Sequence, residues 1–230
     1  MCNPGITEWP SFLDILYNSD TDKGPTERTK NGYSHLYHVA YQKYFSPFRS
    51  SQIRLLEIGI GCKQRFVGAS IPIWRNYFPC VHLSMFEYER DCAEKYRSQI
   101  DELFIGDQSK PSDLQRAIDK GPYHLMVDDG GHTHNQQIVS LRTLFPTLPP
   151  GGIYVLEDMQ TSVINDPNYY DLPNGITTHK FIADVIEQLH RRTTNPKCIE
   201  GSGEIARLAV NVDCIREACI FVRNSEPAKV

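Results

Sequence analysis

The feature that most restricts the fold is a pair of apolar runs that each stop in adjacent carboxylates. They are Val127-Asp128-Asp129-Gly130-Gly131-His132 and Tyr154-Val155-Leu156-Glu157-Asp158. Residues 124–127 and 152–156 are apolar without alternation, as parallel strands covered on both faces must be. Between them, residues 135–148 suit a crossover helix, closed by Pro149-Pro150-Gly151-Gly152. Such a unit is right-handed and delivers both strand ends to one edge of the sheet. With neighbouring strands about 5 Å apart, Asp129, Glu157 and Asp158 converge on one small volume, with His132 just above it. So many carboxylates together are costly unless something cationic sits among them.

The remainder of the chain supplies the rest of an α/β sheet. Ile53-Arg54-Leu55-Leu56-Glu57-Ile58-Gly59-Ile60-Gly61 is an apolar strand running into Gly-x-Gly, with Glu57 two residues before it. Glycine there permits a tight turn and close backbone approach to a ligand. Cys62-Lys63-Gln64 follows, so the third glycine of a dinucleotide fingerprint is missing, and a nicotinamide dehydrogenase is the weakest reading. Gly68-Ala69-Ser70 leads into an amphipathic helix over 73–79. A second strand over 81–86 ends in Glu87-Tyr88-Glu89, where Glu87, and next Glu89, is placed to accept from ribose hydroxyls. A helix over 91–99 precedes a third strand, 103–108, whose Gly106-Asp107-Gln108 end suits an adenine ring. Ser112 caps a helix over 112–120.

The predicted fold is a doubly wound, mostly parallel, Rossmann-like α/β sheet with helices on both faces. It fills one domain over 1–230 and ends in an antiparallel pair, 208–212 and 218–222, joined by 213–217. A helix over 179–191 precedes that pair. Residues 1–32 read as irregular, with 18–25 a solvated loop of turn-forming residues. Residues 33–48 read as helical until Pro47, with Tyr37, Tyr41, Tyr44 and Phe45 forming a packing stripe. His35 and Tyr37 are also placed to face a ligand. The segment 1–48 is expected to cover the cofactor side, and the polar loop 159–178 to form a substrate wall or lid.

Composition excludes several classes. The 230 residues carry a formal charge of −4 with no basic run, so no nucleic-acid partner is expected. Met1-Cys2-Asn3-Pro4-Gly5 is not a secretory signal, and no apolar segment has the length of a membrane span. Seven cysteines, an odd number without a Cys-x-x-Cys pair, suit reduced thiols in a cytoplasmic protein. Nothing decides between a monomer and a homo-oligomer.

Several motifs together resemble the macrocin and mycinamicin deoxysugar O-methyltransferases, a family of class I S-adenosylmethionine-dependent methyltransferases. They are Thr21-Asp22-Lys23-Gly24, Leu56-Glu57-Ile58-Gly59, Trp74-x-x-Tyr77-Phe78-Pro79, Asp128-Asp129-Gly130-Gly131-His132 and Gly152-Ile153-Tyr154-Val155-Leu156-Glu157-Asp158. The resemblance covers roughly residues 18 to 165. It implies S-adenosylmethionine and Mg²⁺ as cofactors, and a hydroxylated sugar or natural product as substrate. It also implies that Asp129, Glu157 and Asp158 ligate the metal, with His132 as general base. The cofactor side would comprise Thr21, Lys23, Glu57, Gly59, Gly61, Ser70, Glu87, Asp107, Gln108 and Asp128.

The residue chemistry is consistent with those roles. Carboxylates select a hard cation that keeps open positions for water or substrate hydroxyls, and imidazole takes protons near neutral pH. The chain departs from the family pattern at residues 62–67, which lengthen the first cofactor loop, and after Thr161. Other readings remain at this point. Asp128 or Asp129 suits the cap of the following helix. The same fold can run a cyclisation, isomerisation or elimination with His132 as acid/base, or serve as a scaffold.

Overall fold

The computed structural model describes residues 9–17, 19–25, 27, 34–164, 166–191 and 195–225. Its seven strands are β1 (Ile53–Ile58), β2 (Val81–Glu87), β3 (Glu102–Ile105), β4 (Leu125–Asp128), β5 (Ile153–Leu156), β6 (Ala209–Ile215) and β7 (Ala218–Arg223). They form one sheet in the order β3-β2-β1-β4-β5-β7-β6. The first five are parallel, and β7 runs antiparallel to both β5 and β6. The reversal between β1 and β4 opens the crevice at the strands' C-terminal edge where doubly wound sheets bind ligands.

The helices are α1 (Phe12–Leu16), α2 (His38–Phe45), α3 (Ser70–Tyr77), α4 (Arg90–Ala93), α5 (Pro111–Ile118), α6 (His134–Leu144), α7 (Thr178–Leu189) and α8 (Ser202–Leu208). The central strands are buried almost end to end, as two-sided cover requires. One face of the sheet packs on Phe12, Tyr41, Phe45, Trp74 and Tyr77. The other packs on Leu114, Ile138, Leu141, Phe181 and Val185.

Several expectations change in detail. Of the expected solvated loop, the described residues 19–25 are instead partly enclosed, with Thr21 and Lys23 buried, and before them α1 is capped by a reciprocal Ser11–Asp14 box. α2 starts at His38, and Tyr33 lies outside the described residues. The helix expected over 91–99 is a short α4 followed by a 3₁₀ stretch, Glu94–Gln99. Lys110, not Ser112, is the cap residue of α5, because Pro111 takes the first helical position, where its missing N–H costs nothing. α8 had no predicted counterpart.

The cysteines are a larger correction. Cys62–Cys92 and Cys214–Cys219 are disulfides and Cys80 is also disulfide-bonded, while Cys198 is a free thiol. The expectation of reduced thiols rested on spacing along the chain. Folding joins the loop after β1 to α4, residues 30 apart, in one case, and residues opposite each other across a hairpin in the other. Cys2 lies outside the described residues. Among the described residues, no helix is long and apolar enough to cross a membrane.

The tightest backbone approach at the crevice is at Gly59, whose φ is +96°. A Cβ there would lie 2.0 Å from the carbonyl oxygen of Asp129. Gly59→Ala is therefore expected to lower unfolding free energy by about 1–3 kcal/mol through backbone strain alone, with the clash adding to it. A denaturant titration reads this out as a lowered midpoint.

Candidate active site

Strand register explains why the acids meet. Ile58 of β1, Asp128 of β4 and Leu156 of β5 lie at one level across the sheet. The next residue of each outer strand continues the ladder: Asp129 N–H donates to the Ile58 carbonyl at 3.0 Å, and Glu157 N–H to that of Asp128 at 3.0 Å. The side chains then alternate in direction, as a strand requires. Asp128 turns away from the crevice into the helix layer. Its carboxylate accepts from the Ser140 hydroxyl, from Tyr154 Oη at 2.7 Å and from Gln108 Nε2 at 3.0 Å. Burial pushes this carboxyl up, and those three donors oppose the shift. Asp128, expected on the cofactor side, is enclosed by these donors in this structure. Gln108 Oε1 accepts from Gly131 N–H at 2.8 Å, pinning the glycine turn before His132.

Lys23 brings a cation into the acid cluster. Its ammonium lies 2.7 Å from Asp129 Oδ2, in contact with Glu157 Oε2, and 3.7 Å from Glu57 Oε1. The residue is 1% exposed. Burial alone would lower its pKa, but Asp129, Glu157 and Glu57 hold it well above the ordinary value, so it stays charged. Glu57 is closed off on its other oxygen, which accepts from Ser70 Oγ at 2.6 Å and Trp74 Nε1 at 2.8 Å. Glu57 and Ser70 therefore join β1 to α3. Burial pushes Glu57 up to about 7, against the opposing influence of Lys23. Thr21 is equally enclosed, its hydroxyl accepting from Lys23 N–H at 3.3 Å.

Of the three expected metal ligands, Glu157 lies deepest. Its carboxylate is fully buried and engaged by Lys23 and by the Tyr41 hydroxyl. The group that does converge, with one potential ligand atom each within 4.8 Å of one another, is Asp129, His132 and Asp158. His132 Nε2 lies 3.2 Å from Asp158 Oδ2 and 3.9 Å from Asp129 Oδ1. All three side chains keep some solvent access. Tyr37 Oη donates to Asp158 Oδ1 at 2.7 Å and accepts from Asp158 N–H at 3.1 Å. Tyr37 and Tyr41 thus combine the packing role read from their spacing with direct contact to the acids.

On the nucleotide side, Gly59 and Gly61 both have positive φ. Glu87 accepts from Ile60 N–H at 2.8 Å, Tyr88 N–H at 2.8 Å and Glu89 N–H at 3.0 Å. It ties the first loop to the second while facing the crevice edge. Glu89 pairs with Lys63 at 3.1 Å. Asp107 organises its own turn by accepting from Ser109 N–H and Oγ, which holds it below the usual carboxylate range despite partial burial. His134 is buried, and its Nδ1 accepts from Thr178 N–H at 3.1 Å, so it joins α6 to α7.

Two residues of this neighbourhood had no assigned role in the sequence reading or only an open one. His35 Nδ1 is 2.8 Å from Glu217 Oε2, and its Nε2 is 3.7 Å from Asp158 Oδ1. Glu217 carried no signal, because a charged residue in a hairpin turn is ordinary.

The sheet order and this crevice define the class I methyltransferase fold. The MycE methyltransferase of the mycinamycin pathway, solved with Mg and SAH, superposes with a TM-score of 0.76 at 23% identity, over 97% of this chain and 58% of its own. In sequence, the chain is similar to sugar O-methyltransferases of antibiotic pathways. It is 37% identical over 133 residues to the 8-demethyl-8-alpha-L-rhamnosyl tetracenomycin-C 2'-O-methyltransferase of Streptomyces olivaceus. That alignment covers 56% of this chain and 34% of the relative. It is 36% identical over 140 residues to the mycinamicin VI 2''-O-methyltransferase of Micromonospora griseorubida, covering 58% and 34%. These alignments span about a third of the length of those relatives. No family model matches the chain.

Two outcomes follow from the buried cluster. Lys23→Met leaves buried carboxylates without their cation and is expected to cost about 3–5 kcal/mol, read as a lower urea midpoint. Glu57 has a folded pKa above its unfolded value, so the folded state binds more protons than the unfolded state between about pH 4.5 and 7. Its contribution to stability is complete below that window and is lost as pH rises through it. Glu57→Gln should flatten the decline of stability over that range in pH-resolved denaturation.

Proposed function

We propose that this chain transfers the methyl group of S-adenosylmethionine to a hydroxyl of a sugar or other small secondary metabolite, with Mg²⁺ in the site. The observation that carries this reading is the convergence of Asp129, His132 and Asp158 at the crevice edge, directly against the Gly59 loop. The sequence similarity to sugar O-methyltransferases supports the same chemistry.

The residues divide the work as follows. Gly59 and Gly61, lacking Cβ atoms, let the backbone approach the cofactor closely. Glu87 has three backbone donors; a carboxylate has about four acceptor sites, which leaves room for one ribose hydroxyl. Asp129 and Asp158 would hold the Mg²⁺, a cation commonly bound through one or two carboxylates with its other positions left to water and substrate. A cation held there would supply Lewis acidity that eases loss of a substrate hydroxyl proton. His132 Nε2 accepts the hydroxyl proton as the oxygen–methyl bond forms and the methyl–sulfur bond breaks, giving a methyl ether and S-adenosylhomocysteine. Asp158 Oδ2, 3.2 Å from that nitrogen, stabilises the resulting imidazolium. Lys23 keeps Glu57 and Glu157 from adding further negative charge to the open side. On this reading the described residues after Asp158, with exposed Val163, Ile164 and Tyr170 among them, would form the acceptor side.

Incubation with S-adenosylmethionine, Mg²⁺ and a panel of deoxysugar glycosides should yield products heavier by one methylene; turnover to products of unchanged mass would overturn the reading. His132→Ala is expected to cut turnover by about 10²–10⁴-fold while S-adenosylhomocysteine binding, read by calorimetry, stays intact. Asp129→Asn should abolish Mn²⁺ binding in the same instrument.

A further inference from the structure

Five described non-glycine residues have φ in the left-handed region, and four of them border this site: Leu36 (57°), His132 (59°), Asp158 (56°) and Glu217 (66°). Such a conformation costs about 1–3 kcal/mol per residue and persists only where the surroundings over-determine it. For Asp158 the surroundings are visible. Its own N–H is held by Tyr37 Oη at 3.1 Å, and the next N–H, of Met159, by the Glu217 carbonyl at 2.8 Å. The same carbonyl accepts from Tyr37 Oη at 3.3 Å.

Glu217 therefore acts twice. Its main chain clamps the backbone around Asp158. Its carboxylate takes the Nδ1 side of His35, which stacks on Tyr37 with ring centroids 5.0 Å apart and planes 15° apart. The opposite imidazole nitrogen, Nε2, then faces Asp158 Oδ1 at 3.7 Å and Asp22 Oδ2 at 3.8 Å. The turn that carries Glu217 is itself tied by the Cys214–Cys219 disulfide across β6 and β7.

We propose that Glu217 and His35 form a positioning pair that holds Asp158 in its ligand orientation, making the β6–β7 turn part of the active site. This inference rests on the proposed role of Asp158 in holding a divalent cation. A carboxylate that fixes a neighbouring imidazole is a common outer support of metal ligands, and its loss typically weakens metal affinity 10–100-fold. The arrangement lies outside all the acidic motifs and far along the chain from them.

The test is Mn²⁺ affinity by electron paramagnetic resonance on the full chain, alongside the thermal midpoint. Glu217→Gly removes the carboxylate but relaxes the left-handed backbone, so the fold is kept. It should weaken Mn²⁺ binding about tenfold. Glu217→Gln, whose amide oxygen still accepts from His35 Nδ1, should restore binding to within about threefold, less than the loss typical of a removed outer support. His35→Ala should match Glu217→Gly, and the double variant should be no worse than either alone, because the two act through one another. Unchanged Mn²⁺ affinity in Glu217→Gly, or fully additive losses in the double variant, would overturn the pair. Absence of Mn²⁺ binding in the unmodified protein, or binding that Asp158→Asn leaves intact, would instead overturn the underlying metal assignment and this inference with it.

Discussion

A buried ammonium surrounded by carboxylates sets the conditions for everything else at this crevice. Without Lys23, three carboxylates at adjacent strand ends would face one another at close range inside the sheet edge. Taking any of these charges out of water is expensive, and the mutual attraction offsets that only when geometry and further hydrogen bonds are complete. Here Ser70, Trp74 and Tyr41 complete them. The N-terminal segment is anchored as a result. Lys23 must reach the cluster, so residues 19–25 fold over the sheet, and Tyr37 and Tyr41 arrive at the same acids from α2.

The acid motifs therefore split into layers with different duties. Asp128 lies deepest, facing the helices. Glu57 and Glu157 form a middle layer neutralised by Lys23. Asp129 and Asp158 keep an open side toward His132 and solvent. Asp128 and Asp129 end in different layers because strand side chains alternate in direction, whereas Asp158 parts from Glu157 because it lies beyond β5 in a left-handed conformation. His132 and Asp158 are also held in left-handed backbone conformations, which re-aims their side chains where a regular turn would not.

Much of this was legible in the chain. Continuous apolar runs ending in acids or glycine identify five parallel strands and their common edge, and the C-terminal pair follows from its own two runs. The need for a cation at the acids was also evident, because it follows from charge alone. That Lys23 joins them was not, since a lone lysine in a stretch of turn residues looks solvated until the fold buries it. Glu157 and Asp158 are indistinguishable in sequence, and only the direction of each side chain shows which of them lies against the ammonium. The contacts of Gln108 with the Gly131 amide and of Asp107 with the Ser109 turn likewise depend on the folded backbone. The disulfides were invisible because their partners meet only through sheet neighbours.

The contact between Gly59 and the Asp129 carbonyl makes the cofactor loop and the acid loop neighbours with no adjustable space between them. The spacing of these two loops is then set by main chain packed on main chain, with no side chain between them to trim or extend. On the proposed function, substitutions after Asp158 can reshape what the crevice accepts while this spacing stays fixed.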